Sequence, residues 1–296
     1  MVLSQENTSD INAKVNSMVE IIPAGNLLEP ISESFFSFIK RSLFELSNLK
    51  FALTSFVVNN LRRRYRRSVL GFAWSLLNPL TTMIIMTTVF SIIFHNNPKE
   101  FGIYIFTGIL PWTFMLDSIT GGSLSLVDAE GFLKKVYIPK LFFPLVVVST
   151  EAVNFVLSLS SLMILGLILG MPIGLSLLSL PFALAILYVF NFGAALFLAI
   201  STVYFRDLTH ITRQLLQAVF YLVPICYPLN AVPPKFLVLF KINPFYYFIN
   251  LFRIIIYQGQ FPQPKDWLVP SVIAVLALIL GFLLLKRTEK DIIFRL

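Results

Sequence analysis

The sequence predicts an all-α polytopic membrane protein: six transmembrane helices, an N-terminal interfacial amphipathic helix and outer re-entrant helices. Three observations carry this prediction. The 296 residues are 57% hydrophobic and only 13% charged, with a mean hydropathy of +0.81, whereas a soluble domain carries about a quarter charged residues. The apolar runs are long and continuous, unlike the short alternating segments of a β-barrel. Lys and Arg collect at alternate ends of successive runs, as cytoplasmic flanks do.

Residues 1–30 are polar and mixed and read as a flexible cytoplasmic extension. They lack the apolar core region and small-residue cleavage site of a secretory leader. Residues 31–68 hold the amphipathic interfacial helix and a basic cluster. Within 36–61, Leu46, Leu49, Leu53, Phe56 and Val57 share one face at helical period, and Asn48, Ser55 and Asn59 lie opposite. Glu45, Lys50 and the asparagines argue against a spanning helix. Five arginines then fall within six residues, Arg62, Arg63, Arg64, Arg66 and Arg67, directly before the first apolar run. Such a cluster holds its end of the run on the cytoplasmic side.

Residues 69–296 form the six-span domain. The first span, Val69 to Phe94, is predicted to kink at Asn78-Pro79. A short polar loop, His95 to Phe101, leads to the second, Gly102 to Val127, which carries Pro111, Trp112 and Asp117. The charged segment Asp128 to Lys140 precedes the third, Leu141 to Leu169, with Glu151 and Asn154 inside. A neutral turn, Gly170 to Gly174, leads to the fourth, Leu178 to Tyr204. The following loop holds Arg206, Asp207, His210 and Arg213; the fifth span, Leu215 to Leu229, contains Pro224 and Pro228. Residues 230–266 are too apolar for a plain loop and are broken by Pro233, Pro234 and Pro244. Two short helices that dip into the membrane and return fit this pattern, and irregular backbone at that depth must pack on protein or line a cavity. An outer gate or cap is the expectation. The sixth span, Trp267 to Leu285, is followed by a charged tail. Lys99, Lys235, Lys241, Arg253 and Lys265 fall outside, and the other Lys and Arg fall inside with both termini.

The net charge of +8 belongs to cytoplasmic loops facing anionic lipid rather than to nucleic-acid binding. The single cysteine, Cys226, excludes an intrachain disulfide and a Cys-based metal site, and its apolar neighbours make it a packed core residue. No glycine is followed by lysine, so no P-loop is present to hold a nucleotide. His95 and His210 lie alone in loops, and no residue is placed as the base of a serine hydrolase. Asp117 and Glu151 are the clearly embedded acids. They serve either as helix-bonding groups or, in an ion-coupled secondary transporter, as relays. The latter class commonly carries internal repeats, and none is evident. A membrane glycosyltransferase would need more than Asp128 and Glu130 for its acidic loop motif.

Four blocks in order resemble the permease subunits of bacterial polysaccharide exporters of the ATP-binding-cassette type, the O-antigen, capsule and teichoic-acid exporters. The run RRRYRRSVLGFAWSLLNP from Arg62 resembles their entrance to the first span. GFLKKVYIPKLFFPL from Gly131 is similar to their first cytoplasmic coupling loop, and STVYFRDLTHI from Ser201 to the second. INPFYYFINLFR from Ile242 resembles their outer re-entrant region. The resemblance covers most of residues 45–296 and implies a type-2 ABC exporter permease fold. It implies a homodimer in the bacterial cytoplasmic (inner) membrane, docked to two copies of a separate P-loop ATPase that binds ATP and Mg. This chain then needs no cofactor of its own, is no enzyme, and moves a polyprenyl-linked glycan. A drug or small-lipid exporter of similar build is the near rival.

Residue roles follow as expectations. Glu130, Phe132, Lys134, Lys135 and Tyr137 contact the ATPase or gate the entrance. Arg206 and Asp207 brace the second loop or pair with each other. The five arginines recruit the pyrophosphate of the lipid-linked glycan, because guanidinium matches phosphate bidentately. Trp74, Phe90, Tyr104, Phe106, Trp112, Phe114 and Tyr221 are candidates to line a channel on which sugars stack their C–H faces; otherwise they pack helices or face lipid.

Overall fold

A computed structural model describes residues 34–65, 68, 73–95, 97–169, 174–228 and 232–296. Contacts divide the chain after Phe38. Of the first unit only residues 34–38 are described, and they open a helix; the account below concerns Ile39 to Leu296. Two of the cluster arginines, Arg66 and Arg67, and the proposed extension 1–30 lie outside the described residues.

The regular structure of the described residues is all helical, with no strand. Helix α1 (Phe35–Asn48) and α2 (Lys50–Tyr65) are separated by a one-residue break at Leu49. The interfacial element therefore extends past 61 and is two helices rather than one. Neither is among the helices long and apolar enough to cross a membrane. Leu46, Leu49, Leu53, Phe56 and Val57 are half-buried while Asn48, Ser55 and Asn59 are exposed, as their spacing predicts.

Five helices are long and apolar enough to span: α3 (Trp74–Phe94), α4 (Pro98–Asp128), α6 (Phe142–Leu169), α7 (Leu180–Tyr204, extended by a 3-10 turn from Leu175) and α11 (Pro264–Thr288). The short α5 (Glu130–Leu133) sits between α4 and α6. The fifth predicted span is not one helix. Helix α8 (Leu208–Tyr221) stops after 14 residues, roughly 21 Å at 1.5 Å per residue, short of the ~30 Å hydrocarbon core. Pro224 follows where a further turn would need its N–H. Beyond it, the pair Pro234–Ile242 and Pro244–Ile256 passes the length and composition test only together and bends by 97°. Here α9 is Leu237–Ile242 and α10 is Pro244–Ile256. The total is five spans, or six if the bent pair counts as one. The predicted pair of short helices is present, as a broken span or a re-entrant loop; a single-helix fifth span at Leu215 to Leu229 is not. A short α12 (Ile292–Arg295) ends the chain.

Local chemistry sets three of the helix starts. Asn97-Pro98, Asn243-Pro244 and Gln263-Pro264 each place a polar cap before a proline whose fixed φ suits the first turn. Asn97 accepts from the Lys99 amide at 3.1 Å and Asn243 from the Phe245 amide at 3.0 Å. Gln263 and Asp266 form a reciprocal capping box.

Helix α4 is the core of the bundle: 78% of its span window is buried, against 17% for α3. It packs on α3, α6, α7 and α10, and α7 in turn packs along α11. Gly193 on α7 and Gly281 on α11 meet backbone to backbone, and Gly122 on α4 meets Ala195 on α7. Small residues permit this approach where lipid supplies no hydrophobic drive between helices.

Candidate functional site

A polar cleft of about 180 Å³ opens between α3, α4 and α6, with the end of α2 at its edge. Its polar lining is Arg64, Asn78, Thr82, Thr113, Asp117, Glu151, Asn154 and Ser158, and Trp74, Phe114 and Phe155 are among its apolar walls. Arg64 donates to both carboxylate oxygens of Glu151 at 3.1 Å. Asn154 donates from Nδ2 to Glu151 at 2.9 Å. That bond orients the amide, since a carboxylate only accepts, and leaves Asn154 Oδ1 buried without a partner among the described residues. Asp117 feels the charges of both Glu151 and Arg64. The embedded acids are therefore not isolated: the basic cluster sends one arginine into the bundle to meet Glu151. Sequence spacing cannot reveal a pair separated by 87 positions.

Asn78, Thr82, Thr113 and Asp117 are exposed on this chain. Polar side chains inside spans are costly against lipid and face a bundle interior or water. The cleft must accordingly look onto an aqueous path or another chain.

A second cluster gathers the charged loops. Glu130 accepts from Lys134 at 2.6 Å across one turn of α5. That bond, with the Lys134 charge, holds the Glu130 carboxyl below its ordinary range, and Arg206 of the second loop adds to it. The two loops predicted to couple are thus brought within reach of each other. Arg41 of α1 pairs with Glu289 beyond α11 at 3.1 Å and with Glu45 at 3.3 Å. The same three charges act on Lys140, whose burial pushes its ammonium pKa down. Phe56 of α2 packs edge-on against Phe132, Phe142 and Phe143. Phe132, Lys134, Lys135, Tyr137, Arg206 and Asp207 are exposed. Arg206 and Asp207 form no ion pair with each other among the described residues; the Asp207 carbonyl accepts the His210 and Ile211 amides of α8.

The predicted aromatic set divides. Trp74 and Phe114 line the cleft. Phe106 is fully buried, and Trp112 is wedged between Phe220 and Phe245, so neither ring has a free face within this chain. Phe90 stacks on Phe94. Tyr221 is 73% exposed and stands apart from the cleft. Tyr104 is held by its hydroxyl, which donates to the carbonyls of Pro224 and Tyr227 at 3.2 and 3.0 Å.

Tyr104 also holds a buried arginine. Arg253, which the sequence places among the outer charges, is only 5% exposed. Its guanidinium lies 3.9 Å from the Tyr104 ring centroid and donates to the Ile225 carbonyl at 3.1 Å. It pins α10 to α4 and to the broken segment after α8. The signal was available: Arg253 shares a helical face with Ile249 and Ile256, an apolar stripe where a solvated arginine is out of place. Cys226 beside it is buried, as predicted. Arg62 and Arg63 are exposed at the end of α2. Among the described residues no group of three or more His, Cys, Asp or Glu is placed to hold a metal.

Residues 52–257 match the ABC-2 type transporter family. The O-antigen export system permease protein RfbA of Myxococcus xanthus is 31% identical over 240 residues, covering 80% of this chain and 92% of the relative. RfbA of Klebsiella pneumoniae is 26% identical over 222 residues, covering 75% and 85%. The polysialic acid transport protein KpsM of Escherichia coli is 20% identical over 254 residues, covering 84% and 97%. With several membrane-length apolar helices and a match across most of its length, the chain is a multi-pass membrane protein that belongs to the ABC-2 type transporter family.

Proposed function

We propose that this chain is the membrane-spanning subunit of an exporter that carries a lipid-linked polysaccharide across the bacterial cytoplasmic membrane, driven by ATP hydrolysis on a separate nucleotide-binding subunit. The observation that carries the proposal is the exposed polar cleft of Asn78, Thr82, Thr113 and Asp117 in an otherwise apolar bundle. A second copy of the chain closes that face away from lipid and leaves an aqueous path between the two. The names of the relatives supply the cargo class, polysaccharide.

ATP and Mg bind the partner. Its docking surface is the loop cluster, where exposed Phe132 and Tyr137 sit among Glu130, Lys134, Lys135, Arg206 and Asp207. Phe56 links that cluster to α2 and so to the cleft edge at Arg64. The Arg41–Glu289 pair supports α1 and the C-terminal tail lying together on the partner's side. Arg62 and Arg63 remain outward to meet the lipid pyrophosphate, while Arg64 is engaged with Glu151.

The test is purification of the tagged chain from its native membrane, with an ATPase assay and a deletion strain. A stoichiometric P-loop subunit and loss of surface polysaccharide are expected. A chain that purifies without an ATPase, in a strain whose surface polysaccharide survives deletion, refutes the proposal and moves Asp117 and Glu151 forward as a proton pathway.

A further inference from the structure

Helix α8 ends at Tyr221, and residues 222–228 beyond it are not helical. Carbonyls released from a helix must find other donors, and here side chains supply them. Tyr227 Oη donates to the Tyr221 carbonyl at 2.7 Å and Asn243 Nδ2 to that of Leu222 at 3.2 Å. Tyr104 Oη reaches the Pro224 and Tyr227 carbonyls, and Arg253 donates to that of Ile225. Arg253 alone among these donors carries a charge. A buried charge is ordinarily matched by an acid. The groups that act on Arg253 are Tyr104, Tyr246, Cys226 and Tyr257, all neutral at physiological pH, and no carboxylate pairs with it among the described residues. What faces the guanidinium is a ring whose centroid lies 3.9 Å away and a carbonyl oxygen at 3.1 Å. A π face and a backbone oxygen are what a cation without a counter-ion accepts as ligands. Helix α4 is shaped to seat it. Gly108 follows Tyr104 by one turn, and a Cβ there would lie 3.0 Å from Nη2 of Arg253. Transporters with interrupted spans set a sodium ion or a proton against such unwound carbonyls. In this chain a side chain fills that place.

We infer that Tyr104, Gly108 and the Ile225 carbonyl form a cation site, and that Arg253 is its resident occupant, standing in for the free ion of an interrupted span. The chain carries its own cation on α10. The joint between α10, residues 222–228 and α4 is therefore closed to inorganic ions and needs none to hold. Emptied of the guanidinium, the site takes a small organic cation of the same shape. The inference concerns this joint alone and is independent of the cargo of the exporter.

The experiment uses the full chain, with whatever subunits accompany it, in lipid nanodiscs, and follows thermal unfolding by tryptophan fluorescence. Arg253→Ala removes the atoms of ethylguanidinium, which is the probe; ethylurea is its neutral counterpart of the same shape. At about 10 mM, ethylguanidinium raises the Arg253→Ala midpoint by several degrees, since a ligand of the folded state stabilises it. Ethylurea does not, although it offers N–H donors to the same carbonyl. Neither compound changes the natural protein, whose site is full, and adding Tyr104→Met to Arg253→Ala abolishes the gain. A merely structural arginine would show no such dependence on the charge of the probe. If Arg253→Ala does not assemble, two variants that keep Arg253 decide instead. Tyr104→Phe loses only the hydroxyl and Tyr104→Met loses the ring as well, so Tyr104→Met unfolds several degrees below Tyr104→Phe. The inference is overturned if ethylurea raises the Arg253→Ala midpoint as much as ethylguanidinium, if neither raises it, or, in the second arm, if the Phe and Met variants unfold together. It is also overturned if sodium or potassium chloride raises the natural protein's midpoint over N-methylglucamine chloride at equal ionic strength and Tyr104→Met removes that rise.

Discussion

Replacing Gly193 with alanine tests the seam on which the bundle is built. An ideal Cβ at Gly193 would lie 2.5 Å from the Ala277 carbonyl carbon and 2.7 Å from Leu278 Cα, and closer still to the Leu278 amide nitrogen. All three are backbone atoms of α11, so no side chain can swing aside. Moving the Ala277 carbon from 2.5 Å to the 3.4 Å of ordinary contact requires about 0.9 Å of separation between α7 and α11. Gly281, whose own Cβ would sit 2.9 Å from the Gly193 carbonyl oxygen, is pulled away in the same movement. Dispersion falls steeply over such a gap, and overpacking of this kind costs about 1–3 kcal/mol. Gly193→Ala should therefore lower the thermal unfolding midpoint of the detergent-solubilised protein by several degrees. Gly193→Leu should prevent assembly. Gly131 is the control, since a Cβ there meets nothing within 4 Å; alanine at that helical position is neutral or stabilises by up to about 1 kcal/mol. Equal midpoints for Gly193→Ala and the natural protein would refute the backbone contact.

Three further outcomes are expected. Arg253→Met orphans the Ile225 carbonyl and loses the Tyr104 ring contact, loosening α10 by about 2 kcal/mol; faster proteolysis between residues 257 and 263 checks this. Glu151→Gln weakens the hold of α2 on α6, by only about 0.5–1 kcal/mol because Arg64 is half exposed, read as increased amide exchange in residues 60–65. The Glu130 carboxyl is held below its ordinary range by Lys134, so its support of α5 is full above the ordinary carboxylate pKa and is lost as pH falls through the lowered value. Rate-corrected amide exchange of residues 130–136 should rise over that window in the natural protein and be flat in Glu130→Gln.

Much of the architecture was legible because its causes are local or compositional. Apolar runs must be helical in lipid whatever their neighbours, since backbone groups there have no other partner. The Asn-Pro and Gln-Pro starts of α4, α10 and α11 act within one turn, and the half-buried stripe of α2 follows a 3.6-residue period visible in the sequence. The single-helix fifth span is absent for a cause that is also local, since Pro224 and Pro228 leave no room for a membrane-length helix after Leu208.

The site was legible only in part. Asp117, Glu151, Asn154 and Trp74 stand out in the sequence as separate polar or aromatic residues in or beside apolar runs, and only the fold makes them the lining of one cleft. Which ring faces a path and which a neighbour is not written in a helix that is apolar all round, because lipid and protein interior present it with much the same surroundings. Phe106 and Trp112 went to the core and Trp74 to the cleft for that reason. By itself the sequence determined the helices, the amphipathic lead-in and the family resemblance, all consequences of composition and near-neighbour chemistry. Tertiary structure alone decided that Arg64 meets Glu151 and that Arg253 is a buried pin on Tyr104. A buried or half-buried charge takes the nearest group able to compensate it, and which group is nearest is a property of the packed bundle.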